Sequence, residues 1–156
     1  MKTHHFFLRT VGLSFVFGLL IFFVSGCKKE KETWMWCSDC TIETITGAYK
    51  GKASHLKYLN DSTYQETTDK DVYANLNSEN SQLTVEIGIV NLFHMNFSGA
   101  YNNQYYIELP GSGGQFSAKI LRHGEKIKLV GIAKKFHENH GVTETAELID
   151  FEIYKE

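Results

Sequence analysis

From Ile45 to the C-terminus, apolar and polar residues alternate with a period of two, the pattern of strands that bury one face. Ile45, Gly47, Tyr49, Gly51 and Ala53 share one parity, with Thr46, Lys50, Lys52 and Ser54 on the other. Val72, Ala74 and Leu76 alternate with Tyr73 and Asn75, and Leu83, Val85, Ile87 and Ile89 make the cleanest aliphatic face. Phe93, Met95 and Phe97 follow, then Tyr105, Ile107 and Leu109, then Phe116, Ala118 and Ile120. Residues 127–136 carry apolar groups on both faces, which predicts a strand covered on both sides or broken by a bulge. Ile149, Phe151 and Ile153 close the series. Between these runs, residues 60–62, 77–81, 98–104, 110–114, 122–125 and 137–143 are rich in Asn, Asp, Ser, Gly and other polar residues and predict turns or loops.

The chain is therefore expected to be all-β, with about eight strands and no helix in the domain. Short connections exclude parallel pairing, which needs long crossovers. An antiparallel up-and-down barrel satisfies this pattern and removes exposed edges. A β-sandwich has the same strand spacing and is the alternative. Leu83, Val85, Ile87, Phe116, Ile120, Ile149 and Phe151 are expected to face one continuous core.

The N-terminus has a different pattern. Lys2 and Arg9 precede an apolar run over residues 11–24, followed by Ser25, Gly26 and Cys27 and then by Lys28-Lys29-Glu30-Lys31-Glu32. A positive start, an apolar centre and small residues at a cut are the order of a secretory signal. The run is too short for a membrane span, which needs about 20 residues. Val24-Ser25-Gly26-Cys27 resembles the lipobox of bacterial lipoproteins. The resemblance implies a signal peptide over 1–26 and a lipidated Cys27 as first residue of the mature chain. A tether would follow over 27–44, and a domain over 45–156. Fully extended, the tether would reach up to about 60 Å. Its charged start is similar to signals that send some Bacteroidota lipoproteins to the cell surface. The implied location is the cell envelope, anchored to the outer membrane on its periplasmic or surface side.

The 156 residues carry a formal charge of −2, and loss of Lys2 and Arg9 makes the mature chain more acidic. That balance argues against nucleic acid or an anionic lipid surface as the main partner. Besides Cys27, only Cys37 and Cys40 remain, within Trp34-Met35-Trp36-Cys37-Ser38-Asp39-Cys40. Trp-Cys-x-x-Cys resembles a thioredoxin active site, but that chemistry needs a helix starting within the motif to lower a thiol pKa. Here residues 41–47 are β-branched and predict a strand. The single proline, Pro110, is expected in a turn. A zinc site would need two more ligands, and His137 and His140 are closer in sequence than such pairs usually are. In an exported protein, a local Cys37–Cys40 disulfide is the expected state.

Gly47-Ala48-Tyr49-Lys50-Gly51 on the first strand, followed by hairpins, resembles the lipocalin-like, calycin-type barrels found in small Bacteroidota lipoproteins. Tyr49 stands where lipocalins have Trp, and no arginine lies within 146–154. The resemblance implies a cavity for a small apolar or amphiphilic ligand, for which Tyr49, Tyr73, Phe93, Phe97, Tyr105, Phe116 and Phe151 are the candidate lining. The same residues would equally fill a solid core, and the protein would then be a structural or interaction module with an envelope protein as partner. No Gly-x-Ser-x-Gly elbow or phosphate loop occurs. His137-Glu138-Asn139-His140 lacks metalloprotease spacing, and Glu144, Glu147, Asp150 and Glu152 are expected on an outer face. His94 is expected partly exposed. Neither enzyme activity, a cofactor nor a metal is expected.

Overall fold

The computed structural model describes residues 32–60, 63–102, 105–111 and 113–156. The expected signal peptide and Cys27 lie outside these residues. The elements are β1 (Met35–Trp36), α1 (Ile42–Ile45), β2 (Gly47–Asn60), β3 (Thr63–Glu79), β4 (Gln82–Ile89), β5 (Phe93–Ala100), β6 (Tyr106–Gly111), β7 (Gly114–His123), β8 (Lys126–Asn139) and β9 (Val142–Lys155). All ladders are antiparallel. One runs through β2, β3, β4 and β5, another through β6, β7, β8 and β9, and β9 pairs with β2 to join them. β1 extends the β6 edge of β7, pairing Met35 with Arg122 and Trp36 with Leu121.

The result is an up-and-down sheet rolled around one core, with its ladder open between β5 and β6. Side chains close that seam: a Cβ added at Gly99 would lie 3.2 Å from Leu109 Cδ2, and one at Gly111 3.4 Å from Phe97 Cδ1. Such an open sheet is compatible with both barrel and sandwich descriptions, and we call it an open barrel. Its core contains every residue expected there, including Leu83, Val85, Ile87, Phe116, Ile120, Ile149 and Phe151. Gly51 is fixed by backbone crowding, because a Cβ there would lie 2.0 Å from the Glu152 carbonyl oxygen.

The meander gives the barrel two unlike ends. The β2–β3, β4–β5, β6–β7 and β8–β9 turns lie at one, the distal end. The other, basal end holds the β3–β4 and β7–β8 turns, α1 and the C-terminus. Asn80-Ser81 and His140-Gly141 have positive φ at both turn positions, the geometry of tight two-residue hairpins that match strand twist. At His140-Gly141 this corrects an expectation. Residues 137–143 are not a loop, because the strands continue to Asn139 and resume at Val142.

Two further expectations change at the N-terminal side. The predicted strand over 41–47 is instead the single helical turn α1. Thr41 caps it, its side chain accepting from the Thr44 amide at 3.4 Å, and the cap outweighs β-branched propensity. Burial of Ile45 against the core and a 2.7 Å hydrogen bond from Tyr49 Oη to its carbonyl hold the turn in place. Residues 33–44 are also no free tether. The compact unit begins at Thr33, because Cys37 and Cys40 are buried in the core. Along 127–136, a bulge falls between Lys135 and Phe136. On the outer face Lys128 lies beneath Trp34, its Nζ 4.6 Å from the ring centroid.

Candidate functional site

The barrel interior holds five of the seven aromatic residues expected to line a cavity. Tyr49, Phe93, Phe97, Phe116 and Phe151 face inward and are buried. Phe116 stacks on Phe151 at 5.5 Å and meets Phe97 at 5.8 Å, so three buried rings pack together inside the barrel. Tyr73 and Tyr105, the other two candidates, do not join them. Tyr73 has the parity opposite to Val72 and Ala74 and lies over Gly88 on the outer face. Tyr105 is exposed and meets Trp36 edge-on at 5.9 Å.

The distal end carries polar chemistry inside the barrel wall. His55 is 5% exposed, and its Nε2 lies 3.0 Å from Glu147 Oε2. Glu147 Oε1 accepts from Lys135 Nζ at 3.4 Å. The three side chains come from β2, β9 and β8, adjacent strands, and Phe93 meets the imidazole edge-on at 6.1 Å. With both Glu147 oxygens engaged, the cluster staples three strands together at the mouth. Charge-assisted hydrogen bonds of this kind offset the cost of burying the carboxylate. Beyond it, the β2–β3 and β8–β9 hairpins flank a cleft of about 570 Å³ lined by Tyr58, Leu59, Asn60, His137, Asn139, Glu144 and Thr145. His137 Nε2 lies 3.3 Å from Glu144 Oε2.

Sequence reading missed this cluster, although parity held the signal. His55 continues the inward series of Tyr49 and Ala53, and Glu147 continues that of Ile149, Phe151 and Ile153. Glu147 was expected on an outer face, because charged residues alternating along a strand usually lie there, and His55 was not singled out. Asp150 and His94 are exposed, and His94 pairs with Glu86 at 3.0 Å on the outer face.

At the basal end Cys37 and Cys40 form a disulfide, with their Cα atoms 5.5 Å apart. Tyr101 Oη donates to the Cys40 carbonyl at 3.1 Å. Burial pushes the Tyr101 phenol up to about 12. Burial raises the Tyr49 phenol too, with the neighbouring Tyr101 adding to it. His137 and His140 lie at the other end. Among the described residues no group of three His, Cys, Asp or Glu side chains is placed to hold a metal ion. Nor, among them, is any helix long and apolar enough to cross a membrane. A scan against protein-family models, a search of curated proteins and a search of solved structures each return no match.

Proposed function

We propose that this protein is a lipid-anchored interaction module of the bacterial cell envelope, in which the barrel is a solid support and the distal end meets a partner protein. Anchoring rests on Val24-Ser25-Gly26-Cys27 behind the apolar run. The observation that carries the interaction reading is the contrast between interior and ends. Phe97, Phe116 and Phe151 pack on one another inside the barrel, which supports a solid core over an interior ligand. Meanwhile Leu59, Tyr64, Val90, Leu92 and Val142 are large apolar side chains exposed on three distal hairpins. Apolar side chains exposed on loop tips are a feature of protein-binding surfaces. The anchor would hold the protein at the outer membrane, facing the periplasm or the surface.

Site-directed photocrosslinking in intact cells tests this. A photoreactive residue at Leu59 or Val90 should give a discrete adduct of protein mass, and one at Asn96 on the barrel wall should give little. Equal adducts from Asn96, or none from the distal positions, would contradict the reading.

A further inference from the structure

We infer that the basal end is a membrane-contact face, with Trp36, Tyr105 and Met35 seated in the headgroup region of the bilayer that holds the anchor. The inference rests on the lipid-anchor reading above and adds an orientation to it. Folding of residues 33–44 onto the barrel leaves only 28–32 between Cys27 and the compact unit. Fully extended, that stretch reaches about 20 Å, far less than a tether ending at Ile45. A linker that short keeps the end of the domain it enters within reach of the membrane surface, and Thr33 sits at the basal end, its carbonyl 3.1 Å from His123 Nδ1.

The side chains at that end suit such a surface. Met35, Trp36 and Tyr105 are 66%, 54% and 49% exposed. Trp36 stands on the outer face opposite Leu121, with Tyr105 edge-on beside it. Lys119 Nζ lies 5.5 Å from the Trp36 ring. Trp and Tyr rings, apolar with one polar tip, concentrate at the membrane–water boundary. A lysine beside them can lay its stem on apolar surface and keep its ammonium in the headgroups. The core does not need Trp36, since its neighbour Cys37 fixes the segment. Trp34 differs: it is half-buried over Lys128 and against Tyr154. The chain thus spends one tryptophan on packing and leaves the other outward on the side nearest the anchor. The two tryptophans are the only ones in the sequence, which makes the contact measurable.

The test uses the full mature protein in phosphatidylcholine vesicles whose acyl chains are brominated near the headgroup, with bromine near the terminal methyl as depth control. Intact mass of the same sample reads acylation of Cys27. Tryptophan emission should fall about twofold with the shallow bromines and little with the deep ones, and Trp36→Phe should abolish that quenching. Acylated protein whose emission is unquenched would overturn the membrane face and leave the anchor standing. So would unchanged quenching in Trp36→Phe. If Cys27 carries no acyl chain, the anchor reading fails by itself. Unacylated protein added to the vesicles then decides the face: shallow quenching supports it, and none overturns it.

Discussion

Ile87 and Glu86 are neighbours in β4 with opposite fates: Ile87 is fully buried, and Glu86 lies outside, bonded to His94. Ile87→Asp should therefore cost several kcal/mol or unfold the domain, since a carboxylate there has no partner. Glu86→Lys should leave the denaturation midpoint nearly unchanged, and urea titration of both variants checks this. Alternation made these positions legible, because a one-residue slip would turn the whole aliphatic face outward. Alternation also pointed to His55 and Glu147, but side-chain chemistry pointed the other way. A polar residue is accepted inside only when its partners are known, and they come from strands remote in sequence.

The N-terminal segment was read least well, because its structure depends on what it packs against. Nothing local in residues 33–46 reveals that Cys37 and Cys40 fit the core or that Trp34 covers Lys128. Tyr49 and Tyr101 hold this segment with hydrogen bonds to the Ile45 and Cys40 carbonyls. Both phenols have folded pKa values raised above the ordinary 10. Their contribution is complete below pH 10 and is lost as pH rises through the folded values. Denaturation midpoints should accordingly fall above about pH 10. Tyr101→Phe should be less stable at neutral pH but lose stability less steeply between 10 and 12. A parallel fall in both proteins would contradict the assignment. Replacing Cys37 and Cys40 together with Ala removes a short cross-link, worth about 2 kcal/mol on loop entropy. A thermal midpoint lowered by several degrees, with strand content retained, is the expected result.

For the molecule as a whole, fold class was readable because turn signals and period-two runs agreed along the chain. Strand lengths were not, because the long β2–β3 and β8–β9 hairpins continue through polar residues, held by their ladders and by cross-strand pairs such as His137–Glu144 and Tyr58–Tyr64. Whether the barrel encloses a cavity was open as well, since aromatic residues at strand spacing serve a pocket and a core alike. The packing of Phe97, Phe116 and Phe151 and the placement of Tyr73 and Tyr105 outside the interior support the solid barrel we propose. Native mass spectrometry of the protein in mild detergent, as the proposed lipid anchor requires, tests this most directly. The account predicts the mass of the chain from Cys27 with its acyl groups and no stoichiometric small molecule. A further small molecule retained until the protein unfolds would contradict it.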